Sequence, residues 1–229
     1  MPDFKLINYL EQFVTEKRRQ IFRDVLNERT RHFTVAIEDI YQAHNASAVV
    51  RSCDVFGVQD VHIIENKYKF QASNNVAKGA QKWLDFTWYN QENTNNTQAC
   101  ISRLRNQGYA IVATTPHRDS CMLEDFDISQ KSAFFFGVEK EGLSKEVMEN
   151  ADQHLKIPMV GFTESLNISV AAAIILQNLT TKLKNSDVSW ELKELDKQEK
   201  YLEWLEKSIK SIDRIKDHYF NVIQQSELK

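Results

Sequence analysis

Three short segments hold the residues best suited to chemistry. Residues 45–51 read Asn-Ala-Ser-Ala-Val-Val-Arg, and residues 136–144 read Phe-Gly-Val-Glu-Lys-Glu-Gly-Leu-Ser. Residues 157–173 run from Ile157 through Gly161, Ser165, Leu166 and Asn167 into an apolar stretch. Arg51 is a permanent cation whose planar fork suits a phosphate, and it does not lose a proton in bulk water. Asn45 precedes a helix and can cap it. Glu139 is a carboxylate just beyond an apolar strand. Ser165 and Asn167 stand at the start of a long helix, which Ser165 can cap. Gly137, Gly142 and Gly161 lack a Cβ and so permit close backbone approach. No GxGxxG follows any strand, and no Walker A sequence occurs. A nucleotide-like cofactor would need a different cradle.

The elements that must position these residues alternate. Strands are expected at residues 33–37, 61–65, 84–89, 109–114, 133–138 and 154–157. Helices are expected at 46–56, from 96 to just before Gly108, at 144–150 and at 166–184. That alternation implies an α/β fold, a parallel sheet with helices on both faces. Two glycine-free helices, 4–13 and 16–28, precede it, with Asp3 and Thr15 as N-caps. After residue 190, Leu195, Leu202, Leu205, Ile209, Ile212, Tyr219 and Ile223 fall on alternating steps of a seven-residue pattern, interrupted by Lys216. This predicts one amphipathic helix that docks on the chain's own core or on a second subunit. The organisation expected is an N-terminal helical extension over 1–30, a core over 31–185 and a C-terminal helical extension over 186–229.

Composition narrows the function classes. The 229 residues carry a formal net charge of −3, which disfavours a strongly electrostatic nucleic-acid binder. Charge distribution qualifies this. Lys17, Arg18, Arg19, Arg23, Arg29 and Arg31 stand against only Glu16, Asp24 and Glu28 in one short stretch. Cys53, Cys100 and Cys121 form neither a CxxC pair nor a Cys/His cluster. No metal site and no disulfide framework are expected, and a reducing compartment fits. The six histidines are scattered, and none is assigned a catalytic role. No apolar run approaches the ~20 residues of a membrane span, and the N-terminus lacks a signal-peptide pattern.

The three segments, in their order and separation, resemble the signature motifs of the SpoU/TrmH methyltransferases. The likeness covers roughly residues 30–182, and the flanking helices resemble the TrmH type, which methylates a D-loop guanosine of tRNA. The resemblance implies a C-terminal trefoil knot (SPOUT-type), which no periodicity could reveal. It also implies a cytoplasmic homodimer with active sites at the subunit interface, S-adenosylmethionine as methyl donor and ribose 2′-O-methylation of RNA. Arg51, Asn45, Glu139, Ser165 and Asn167 match the catalytic positions. Thr114, Gly137, Ile157 and Leu166 match the cofactor-binding positions. Arg51 is expected to grip the phosphate beside the target ribose and stabilise the developing alkoxide. Its use as general base would need a very large pKa depression. Arg18, Arg19, Arg23, Arg29 and Arg31 are expected to meet RNA phosphates. Ribosomal RNA or another tRNA position is the alternative substrate. A non-catalytic RNA-binding dimer is the competing class, against which the five intact catalytic positions argue.

Overall fold

The computed structural model describes residues 3–70, 79–116, 120–138 and 141–223. The chain divides into two compact units, one of residues 30–190 and one combining residues 1–29 with 191–229. The terminal segments therefore belong to a single helical unit rather than to two separate extensions.

The larger unit is built on a seven-stranded sheet in the order β3-β2-β1-β6-β4-β7-β5. The strands are β1 (Phe33–Glu38), β2 (Asp60–Ile64), β3 (Asp85–Tyr89), β4 (Ala110–Thr114), β5 (Cys121–Met122), β6 (Ser132–Phe136) and β7 (Gln153–Lys156). Every strand pair is parallel. β1 and β6 are buried along their whole length, so Thr34, Glu38 and Ser132 are enclosed along with the apolar residues that dominate both strands. Alternation is nevertheless kept between the faces. Val35, Ile37, Phe134 and Phe136 enter one core with helices α3 (Ala43–Val55) and α6 (Ile168–Lys184). Ala36, Ala133 and Phe135 enter the other, with α4 (Asn96–Asn106) and α5 (Lys145–Asn150).

In the smaller unit, α1 (Phe4–Glu11) and α2 (Glu16–Asn27) are capped by Asp3 and Thr15 as expected. The tail is not one helix. It forms α7 (Glu194–Ser208) and α8 (Ile212–His218), with Ser211 between them at φ +58°. That left-handed residue breaks the apolar seam. Phe22 of α2 meets Trp204 of α7 edge-on at 5.7 Å, and both are nearly fully buried.

Candidate functional site

The second motif folds into a tight loop at the C-terminal end of β6. Val138 and Gly142 exchange both backbone hydrogen bonds, at 3.0 and 2.7 Å. Gly142 sits at φ +71°, in the left-handed region. Gly137 is required for a different reason. A Cβ there would lie 2.2 Å from the Gly142 carbonyl oxygen. Only glycine fits without moving the backbone.

This loop borders a cavity of about 410 Å³ between the ends of β4, β6 and β7 and the start of α6. Its apolar wall includes Phe136, Leu155, Ile157, Leu166, Ile168 and Ile175. Thr114, Gly137, Ile157 and Leu166, the four expected cofactor positions, all line it, as does Ser165. The volume falls in the ~300–1,000 Å³ range of small-molecule sites. The Thr114 hydroxyl is already committed, donating to the Phe135 carbonyl at 2.7 Å. Thr114 therefore offers the cavity its backbone and methyl group. The lining suits an adenosine-like group: apolar side chains beside backbone that approaches closely because Gly137 has no side chain.

The first and third motifs meet at the helix starts. α3 begins at Ala43, so Asn45 lies inside its first turn and is not the cap. Gln42 holds the cap position without a side-chain cap bond, and its Oε1 accepts from Asn45 Nδ2 at 2.6 Å. Asn167, not Ser165, caps α6, with its Oδ1 accepting from the Ser169 amide. Its Nδ2 then donates to Asn45 Oδ1 at 3.2 Å. A narrow cleft lined by Tyr41, Gln42, Asn45 and Gly137 joins these residues to the loop. Glu139 lies outside the described residues.

Arg51 stands apart. Six residues beyond Asn45 on α3, it is turned about 240° around the helix axis at ~100° per residue. It is exposed and lines a different groove with His44, Ser52, Val55 and Ala173. One chain thus brings Asn45, Ser165, Asn167 and the four cavity residues together but leaves Arg51 elsewhere.

Two acidic residues at the end of β1 escaped the sequence reading. Glu38 is buried and accepts from Thr97 Oγ1 at 2.6 Å and from both the amide and hydroxyl of Ser144 at 2.8 Å. It anchors the far end of the Gly142 loop. Asp39, at φ +53°, accepts on Oδ1 from the amides of Asn66, Lys67 and Tyr68. The available signal was a pair of carboxylates closing an otherwise apolar strand.

The basic stretch needs correction. Arg29 is only 1% exposed, its guanidinium stacked 5.7 Å from the Trp204 ring, so it cannot meet a phosphate. Arg31 is bound to Asp60 and Asp85 at 3.0 and 2.6 Å. Arg19 pairs with Glu11 and Glu16, and Arg23 pairs with Glu11 at 2.6 Å. Arg18 is exposed and packs over Phe22 one turn away. Carboxylates from α1, α2, β2 and β3 and the rings of Phe22 and Trp204 recruit these side chains, each within its own unit, which a charge count cannot show.

Comparison with known proteins agrees with this geometry. The SpoU rRNA Methylase family model matches residues 32–177. A tRNA (guanosine(18)-2′-O)-methyltransferase of Borreliella burgdorferi is 39% identical over 213 residues, spanning 93% of this chain and 95% of that protein. The crystal structure of the A. aeolicus TrmH/SpoU tRNA modifying enzyme superposes with a TM-score of 0.73 at 30% identity, covering 85% of this chain and 98% of that one. The SpoU methyltransferase AviRb from Streptomyces viridochromogenes, solved in complex with the cofactor AdoMet, shares the fold at TM-score 0.60 and 22% identity, over 71% of this chain and 65% of its own. The match spans the sheet, the glycine loop and most of α6, and on it this chain belongs to the SpoU rRNA Methylase family.

Proposed function

We propose that this protein transfers a methyl group from S-adenosylmethionine to the ribose 2′-hydroxyl of a guanosine in tRNA, at position 18. The observation that carries the reading is the 410 Å³ cavity, walled by the Gly137 loop and lined by all four expected cofactor positions. The near full-length likeness to a protein named for that reaction supplies the substrate. Ribosomal RNA is the second reading, favoured by the description of the matching family.

Bound in the cavity, the donor supplies an electrophilic methyl on a sulfonium, whose departure as a neutral thioether needs no metal. The chain must do the rest. Gly137, Ile157 and Leu166 hold the flat end of the donor against an apolar wall. Asn45 and Asn167, fixed by each other, orient groups at the mouth of the cleft. Ser165 lies at the cavity edge. The attacking 2′-oxygen gives up its proton to solvent water as its bond to the methyl forms, and it carries negative charge in the transition state. A protonated Arg51, forked onto the adjacent phosphate, stabilises that charge.

Because Arg51 lines a groove separate from the cavity, we propose that a second copy provides it and that the active site forms at a homodimer interface. Exposed Val55, Val170 and Ile174 near α3 and α6 offer the apolar surface for it. The reading also includes a trefoil knot in the C-terminal part of the core. β7 lies between β4 and β5 in the sheet, and the segment after it lines the same cavity as Thr114–Pro116. Three free cysteines and the tRNA substrate favour the cytoplasm. Lys17 and Arg18, exposed on α2, are the remaining outer phosphate contacts of the terminal unit in this reading.

The test is transfer of labelled methyl to a tRNA transcript with the modified nucleotide mapped. Arg51→Ala should lower turnover by on the order of a hundredfold or more while donor affinity is kept. Leu166→Trp should block the cavity. Mixed dimers of the two variants should regain part of the activity, since one of their two sites is intact. An inactive wild type overturns the function. Active wild type without rescue in the mixed dimer overturns the shared site.

A further inference from the structure

Tyr41 and Tyr68 stand side by side on the surface, with ring centroids 5.2 Å apart, exposed by 46% and 39%. Two large rings packed on each other yet left open to water offer π-faces to a planar partner. The backbone beneath them is held firmly. Asp39, itself 8% exposed, binds the amides of Asn66, Lys67 and Tyr68 at 2.8, 2.8 and 3.3 Å. It does so from a left-handed conformation that a non-glycine residue adopts only at a cost. The segment presenting Tyr68 is therefore ordered before any partner arrives, which lowers the entropy cost of binding.

Position and charge identify the partner. Tyr41 lines the same cleft as Asn45 and Gly137, so the ring pair borders the mouth of the methyl-transfer site. Tyr68 is flanked in sequence by Lys67 and Lys69, both exposed. Lys67 has an exposed partner, Glu141, at 3.5 Å, a pair weak enough for a phosphate to displace. The groove beside Lys67 also holds Glu38, Asp39 and Glu146. Glu38 is bound by Thr97 and Ser144, Asp39 by three amides and Glu146 by Asn95, while Glu65 accepts from the Phe70 amide. Aromatic faces interleaved with ammonium groups suit single-stranded RNA, whose bases stack while its phosphates pair.

We propose that Tyr41 and Tyr68 form a stacking platform for an unstacked RNA base adjacent to the methylated nucleotide, with Lys67 and Lys69 on the flanking phosphates. The proposal rests on the RNA methyltransferase reading and adds to it the residues that hold the neighbouring base. A base–aromatic stack is worth enough to change RNA affinity by about tenfold. The experiment compares wild type, Tyr41→Ala/Tyr68→Ala and Tyr41→Phe/Tyr68→Phe for tRNA-transcript binding, methyl transfer and S-adenosylmethionine binding. The alanine pair should raise the tRNA Kd and KM by about tenfold or more, with donor affinity and sedimentation unchanged. The phenylalanine pair should restore both constants, because the stacking face remains. Lys67→Ala/Lys69→Ala should flatten the salt dependence of tRNA affinity. Unchanged tRNA affinity in the alanine pair of an active enzyme overturns the platform. So does a shift in the monomer–dimer equilibrium with tRNA affinity intact, which would assign the rings to a second copy. A wild type that methylates no RNA is a separate result, and it removes the reading beneath.

Discussion

At the scale of single residues, the glycines of the two loop motifs look alike in sequence and differ in the structure. Gly142 is needed for its φ of +71°, and Gly137 for space, since a Cβ there would meet the Gly142 oxygen at 2.2 Å. Gly161 has neither constraint, with nothing within 4 Å of an added Cβ. Gly137→Ala should therefore displace the loop, lower stability by roughly 1–3 kcal/mol as overpacking does, and weaken S-adenosylmethionine binding at least tenfold. Gly161→Ala should change neither by much. Urea unfolding and calorimetric titration of both variants check this, and equal behaviour of the two would refute the distinction. Residue type announced all three positions; only the fold reveals which backbone lies opposite each one.

At the scale of elements, the sequence was most legible where structure is local. Asp3 and Thr15 cap their helices as expected because the cap bond spans two or three residues. The start of α3 was misplaced because Gln42 makes no side-chain cap bond, leaving no local mark. The break at Ser211 was hidden because apolar spacing continues across it. Asn167 shows an element-level role with two separable parts. Its Oδ1 caps α6, and its Nδ2 ties α6 to Asn45 on α3. Asn167→Ala should lose both, at about 1–2 kcal/mol of stability. Asn167→Asp keeps the cap acceptor and removes the donor. It should retain near wild-type stability while methyl transfer falls roughly tenfold, because Asn45 loses its orienting partner. Thermal unfolding and turnover measured side by side decide it. Full activity in Asn167→Asp would show that the bond between the two amides does not matter to transfer.

At the scale of the molecule, a parallel sheet was legible from alternating elements, but its strand order and the union of the two chain ends were not. Both depend on contacts distant in sequence, for which periodicity carries no information. The same burial on both faces that makes β2 apolar also encloses a histidine. His62 is 4% exposed and lies beside Tyr89, with its Nδ1 3.0 Å from the Tyr89 hydroxyl. Burial, followed by the nearby positive charge of Arg103, depresses its pKa to about 4. Burial lowers His32 in the same direction. In the unfolded chain both would titrate near 6.5. Between those values the unfolded state binds the proton and the native state does not, so stability falls as pH drops from about 6.5 towards 4. It is fully present above that window and levels off below it as far as His62 is concerned. A depression of this size corresponds to about 3 kcal/mol lost across the window from His62. Urea unfolding at fixed protein concentration, at pH 7, 5.5 and 4.5, should show this decline. His62→Gln, which retains a polar partner for Tyr89 but cannot take up the proton, should remove most of it and leave the smaller slope from His32. Stability that stays flat down to pH 4.5, or a slope undiminished in His62→Gln, would place the acid sensitivity of this fold elsewhere.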